Sequence, residues 1–203
     1  MMLCAGILIW SGCSKVEQAK EAVQNIESLE KSAAQAQNNQ ELIAKKREER
    51  IARGDTMALG REALIAFLPA IEGYDTVNTE FAAFNMPGTA YSQIVRHYKA
   101  HNDEAATLEL TLADYSGAYG MMDGLTALWS FSVENDQEKA KGFDPGFPLS
   151  GGWEVYNKVN KQATVFYALG GRFLLTLKAE KQTDTELAKK IASSMKLKDL
   201  AAK

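Results

Sequence analysis

The chain is poor in cysteine, histidine and proline: of 203 residues, two are Cys, two are His and four are Pro. Both cysteines, Cys4 and Cys13, lie at the extreme N-terminus. From Ser14 onward there is therefore no disulfide, no thiolate metal site and no thiol nucleophile. Formal net charge is only -3, and residues 56–203 hold 15 basic against 18 acidic residues, a balance that leaves no electrostatic footprint for nucleic acid. There is no Gly-x-Ser-x-Gly elbow, no His-Glu-x-x-His, and neither a P-loop nor a Rossmann spacing. No aromatic residue falls between Trp10 and Phe67, so a packed core must be built downstream of that gap.

What is present begins with the apolar run Met1–Trp10, followed by Ser11-Gly12-Cys13. Ten residues of helix span about 15 Å against roughly 30 Å of hydrocarbon, too short to cross a membrane. The run has the length of a signal-peptide apolar region. Small residues leading into a cysteine, with the polar Ser14-Lys15 behind it, resemble a bacterial lipoprotein signal peptide over residues 1–12. That resemblance implies cleavage before Cys13, acylation of its thiol with diacylglycerol and palmitate, and export to the cell envelope. It also implies loss of Cys4 with the leader, so that the mature chain keeps no free thiol. Ser14 is not the Asp that retains enterobacterial lipoproteins in the inner membrane, which implies the periplasmic face of the outer membrane.

Residues 13–55 follow as a polar segment. From Ser14 they contain no aromatic residue or Pro, and the first Gly is Gly54. That composition favours helix and disfavours a core. Val16, Ala19, Val23 and Ile26 make a short stripe that Gln37-Asn38-Asn39-Gln40 interrupts, so a solvated helical spacer is expected rather than a coiled coil. Residues 56–203 are of ordinary size for one globular domain.

Within that domain, Met57 to Leu68 has helical spacing and Pro69 ends it. Phe81 to Phe84 is a short strand before Pro87-Gly88. Tyr91 to Ala100 and Ala105 to Ala113 are strands joined at Asn102-Asp103-Glu104, the second alternating Leu108, Leu110 and Leu112 with Thr107, Glu109 and Thr111. Met121 to Phe131 is helical. A Gly- and Pro-rich loop runs from Gly142 to Pro148 and on to Gly151-Gly152. Strands follow at Trp153 to Asn157, Ala163 to Leu169 and Arg172 to Glu180, the last two joined by Gly170-Gly171. A closing helix is expected from a capping box at Thr183 and Glu186, with Leu187, Ile191 and Met195 as its buried stripe.

The expected fold class is α+β: an antiparallel sheet of about five to six strands with packed helices, behind a long polar helical spacer. Over residues 65–200 this order of elements, with a glycine-punctuated loop and a closing helix, resembles the PsbP/Mog1/DcrB-like group. Some members of that group are bacterial lipoproteins.

Candidate chemistry is sparse. His97 and His101 have i, i+4 spacing, which on a helix would let them share an ion, but on a strand four residues cover about 13 Å. Exposed hairpin histidines are therefore expected, with no metal and no cofactor. Asp114-Tyr115-Ser116-Gly117-Ala118-Tyr119-Gly120 leads from a strand into a helix, where backbone N–H groups often hold ligands. It is either a small-molecule contact through Asp114, Tyr115 and Tyr119 or an ordinary connection in which Asp114 caps the helix. Asp114, Asp123 and Asp144 are the carboxylates available as an acid/base set. Aromatics alternate onto both faces of the last strands, so Tyr156, Phe166 and Tyr167 are either covered by the 142–148 loop or line a groove with Tyr115 and Tyr119. The ligand-binding candidates are thus Asp114, Tyr115, Tyr119, Tyr156 and Tyr167, and no catalytic residue is assigned. Two functions remain open: a lipid-anchored envelope protein whose domain binds a protein partner or small ligand without chemistry, or an envelope hydrolase using carboxylates or a metal.

Overall fold

The computed structural model of the chain describes residues 39–86, 89–126, 129 and 131–203. Cys13, the leader and most of the spacer lie outside the described residues. Two compact units divide at Leu42/Ile43, the second being Ile43–Lys203. Helix α1 covers residues 39–52. After it come α2 (Arg61–Ile65), β1 (Tyr74–Met86), β2 (Thr89–Ala100), β3 (Thr107–Asp114), α3 (Tyr119–Thr126), β4 (Val133–Glu134), β5 (Glu138–Phe143), β6 (Ser150–Asn157), β7 (Gln162–Leu169), β8 (Phe173–Ala179), α4 (Glu186–Ser194) and α5 (Leu197–Ala202).

The eight strands among the described residues form one sheet in the order β1-β2-β3-β8-β7-β6-β5-β4, and every neighbouring pair is antiparallel. Two meanders, β1 to β3 and β4 to β8, are joined along the β3–β8 seam. Registers Ile94 with Leu112, Leu112 with Leu175 and Leu175 with Tyr167 line up apolar side chains on one face. Leu64 of α2, Ala188 and Ile191 of α4, and Leu197 and Leu200 of α5 close over them. The alternation that dictates this is strict in β7, whose buried residues are Ala163, Val165, Tyr167 and Leu169. The opposite face has only a small apolar cluster at one end, where Ala113, Tyr115, Ala118, Met122 and Leu174 meet Tyr91 and Trp129.

The α+β expectation of five to six strands is corrected by this arrangement: the molecule is a single eight-stranded antiparallel sheet with few, short helices. β1 extends far beyond the expected Phe81 to Phe84. It is an edge strand whose residues are mostly exposed, so burial imposes no alternation for a sequence reading to detect. β5 takes in Gly142 and Phe143 of the expected loop, and β4 with the rest of β5 falls in a stretch to which the sequence assigns no element. In β5 only Ala140 is buried; Lys139 and Lys141 point to the other side of the strand, the face of Tyr156 and Glu154, and reach Glu134 and Glu154.

Gly151 and Gly152 belong to β6 rather than to a loop. A Cβ at Gly152 would stand 2.3 Å from the Phe143 ring, so the glycine makes room for that ring, which packs edge-on against Tyr167 at 5.2 Å. At the β7–β8 turn Gly170 and Gly171 have φ of +60° and +67°, left-handed as the glycines allow, but the pairing of Leu169 with Phe173 makes the loop three residues long with Arg172, one more than the expected two-residue hairpin. The helix begun by Thr185 lacks the expected capping box. Asp184 Oδ1 accepts from the Glu186 N–H at 2.9 Å, and the Thr185 hydroxyl donates to Glu154 at 2.6 Å.

The polar segment before residue 56 is not wholly solvated, although Ile51 to Gly54 are exposed. Ile43 of α1 packs against Gly171, where a Cβ would meet its Cγ2 at 2.3 Å. The Lys46 ammonium donates to the Ala201 carbonyl at 2.6 Å, and Arg50 is fully buried.

Candidate functional site

β3 delivers Asp114 to the end of the sheet next to Phe173 of β8, directly after Arg172 leaves the β7–β8 turn. The two side chains form a two-pronged pair, Nε to Oδ1 at 2.8 Å and Nη2 to Oδ2 at 2.9 Å. Asp114 has no exposed surface and Arg172 almost none. The other hydrogen bonds tie in the segment after α1: the Leu59 N–H donates to Asp114 at 2.9 Å, and Arg172 donates to Asp55 at 3.0 Å and to the Met57 carbonyl at 3.2 Å. Burial works against the Arg172 charge, but the hydrogen bonds and charge of Asp114, with Asp55, outweigh it and hold its pKa above the ordinary value. Asp114 is therefore spent on a structural pair and neither caps α3 nor faces a ligand.

The tyrosines go to different places. Tyr115 is buried against Tyr91, ring centroids 5.0 Å apart, and burial raises its pKa. Tyr119, at the start of α3, lies beneath the guanidinium groups of Arg47 and Arg50 at 4.4 and 5.4 Å, and its hydroxyl accepts from Arg50 at 3.3 Å. Tyr167 lies in the helix-covered core, and burial pushes its pKa up to about 12. Tyr156 packs on the same core and donates to the Gln182 carbonyl at 3.1 Å. Phe166 points the other way, 6.1 Å from Trp129. The five candidates are thus split between opposite faces and do not line one groove.

The remaining carboxylates have separate partners. Asp123 pairs with Arg47 at 2.7 Å, and Asp144 accepts from the Gly146 N–H at 2.8 Å. His101 meets Asp75 at 3.1 Å. His97 on β2 lies between two carboxylates, with Nε2 3.9 Å from Glu80 and Nδ1 3.7 Å from Glu109. These address opposite nitrogens of the ring, so no single ion could take all three. Among the described residues no cluster of His, Cys, Asp or Glu is placed to hold a metal.

One concavity is open to solvent on the sheet face away from α4 and α5. It has a volume of about 340 Å³, at the end of β1, β2, β3 and β8 remote from Asp114, and its walls include Val77, His97, Lys99, Glu109, Lys178 and Glu180. The alternation that buries Leu108 and Leu110 turns Thr107 and Glu109 outward here. Lys99 pairs with Glu104 at 3.1 Å and Lys178 with Glu180 at 3.6 Å, giving a floor of alternating charge. Such a surface can orient a polar ligand or a partner chain, and His97 and Glu109, 3.7 Å apart, both face into it. His97 and the outward face of β3 were legible as a polar strand face. Their neighbours on β1 and β8 come from distant parts of the chain and carried no signal. Comparison with known protein families, with curated proteins and with solved structures finds no match for this chain.

Proposed function

We propose that the protein is a lipid-anchored component of the bacterial cell envelope whose sheet domain binds a protein partner or a small ligand and performs no chemistry. The observation that carries the reading is the open, charge-lined concavity on the sheet face that α4 and α5 leave free. The anchoring half rests on Ser11-Gly12-Cys13 behind the apolar run. Several acyl chains hold a protein durably at a membrane where one would not, so the domain would work beside a bilayer, with the outer membrane as its expected site.

Two measurements test the halves separately. Cys13→Ala should release the protein from the membrane fraction or leave an uncleaved precursor; a mature protein whose mass retains an unmodified Met1 overturns the anchor. In cells, crosslinking of the full-length protein followed by mass spectrometry should give a partner whose recovery falls when Lys178→Glu and Glu109→Lys change the charges of the concavity. Unchanged recovery from those variants would remove the concavity as the binding site.

A further inference from the structure

Among the described residues β1 has a neighbour on one side only. It ends the sheet order and pairs with β2 from Tyr74 to Met86. The opposite edge is defended as edges usually are, by brevity and charge: β4 is only Val133–Glu134, with Lys139 and Lys158 reaching Glu134. β1 is not short, with 13 residues, and it carries no cationic side chain. It contains no Pro, Lys or Arg, and its one irregularity lies between Thr76 and Asn78. From there to Met86 the strand is regular. Along it, Arg61 of α2 donates to the Thr79 carbonyl at 3.4 Å. Val77, Phe84 and Met86 are 64%, 50% and 55% exposed, as aggregation-prone edges are and as functional ones must be.

The register with β2 sets Glu80, Ala82, Phe84 and Met86 opposite Val95, Gln93, Tyr91 and Thr89, so all four share one face. The strand's formal charges are Asp75 and Glu80, both acidic. Asp75 is already met by His101. Glu80 is 63% exposed at its side chain, with His97 Nε2 3.9 Å away, and among the described residues its one hydrogen bond is from Asn78, at 2.8 Å. We infer that β1 is a strand-addition site for an extended segment of a partner protein with a basic residue opposite Glu80 and apolar residues opposite Phe84 and Met86. Antiparallel addition runs from the Met86 end to the Glu80 end, so the recognised pattern is apolar-x-apolar-x-small-x-basic. Main-chain hydrogen bonds would supply affinity and the alternate side chains specificity. A second copy of this chain is the poorer occupant, because β1 has no basic residue to offer Glu80. The inference rests on the binding reading above and names its partner's chemistry.

The test uses the full chain with two synthetic peptides, VTVTATKT and its charge-reversed twin VTVTATET, read by amide hydrogen exchange and by titration. Exchange should slow within residues 78–86 on adding the basic peptide, which should bind at least ten-fold more tightly than the acidic one. Glu80→Lys should invert that preference, and Phe84→Lys should weaken both peptides; both sites are exposed, so unchanged melting confirms that the variants fold. Equal affinities, or no slowing within β1, overturn the inference. Slowing that grows with protein concentration in the absence of peptide assigns the edge to a second copy and overturns it too. An envelope partner captured equally by wild type and Glu80→Lys sinks strand addition while leaving the binding reading standing, whereas a wild type that captures no partner sinks the binding reading itself.

Discussion

At the scale of single residues, the charged groups that matter most are the ones removed from water. Asp114 and Arg172 are worth most as a pair, since each has lost its hydration and is compensated by the two-pronged bond to the other, with Leu59, Asp55 and Met57 completing the set. Asp114→Ala should therefore cost about 3–5 kcal/mol of stability, the range for stranding a buried charge. Adding Arg172→Met should recover part of that loss, because it removes the stranded guanidinium. Urea denaturation of both variants decides the matter, and a double variant as unstable as the sum of the singles contradicts the coupling. Glu154 gives a pH prediction. Burial disfavours its charge, but the Lys189 ammonium at 2.8 Å, the Thr185 hydroxyl and Lys141 outweigh that and hold its pKa below the ordinary carboxylate value of 4.5. A depressed pKa in the fold means that this contribution is complete above the unfolded value and disappears as pH falls through the folded one. Melting temperature should drop on acidification below about pH 4.5, and Glu154→Gln should flatten that part of the profile; an identical acid limb in the variant would dissociate Glu154 from it.

At the scale of elements, local pattern was readable wherever burial alternated. β7 and β3 follow from Val165 and Tyr167 or Leu108, Leu110 and Leu112, and the β7–β8 turn follows from its two glycines. β1 and β5 escaped because edge positions bury too little to impose a period. The part of α1 from Ile43 escaped for another reason. Its basic residues read as a solvated surface, yet Arg50 is buried and Arg47 and Arg50 lie over Tyr119, contacts made with chain far away in sequence. The stem of an arginine can cover apolar surface, so charge alone does not place a residue in water. A chain beginning at Ile43 should melt like the full-length protein, whereas one beginning at Thr56, the boundary that composition alone suggests, should melt several degrees lower, having lost the Ile43, Lys46 and Arg50 contacts and the Asp55–Arg172 bond. Equal melting of the two shortened chains, followed by circular dichroism, would show that α1 contributes nothing to the domain.

At the scale of the whole molecule, the sequence by itself determined the location of the core, the helix-covered face of its central strands and the absence of thiol chemistry beyond Cys13. Each depends on composition or on a local period, which a chain displays before it folds. Only the tertiary structure decided that β3 lies against β8, and that seam joins two meanders into one sheet of eight strands. It brings Asp114 to Arg172 and Glu109 to Lys178, pairings between residues far apart in the chain. The same is true of the candidate site. Asp114, Tyr115, Tyr119, Tyr156 and Tyr167 have the right chemistry for a ligand, but the sheet sends them to a buried ion pair and to two opposite faces. The open concavity is instead made by residues of four strands, charged on β2, β3 and β8 and apolar at Val77 of β1, none of which announces a site locally. Side-chain direction along a strand alternates by local geometry and can be read from sequence; which strand comes to lie beside it is settled by burial summed over the whole chain, and no local window contains that sum.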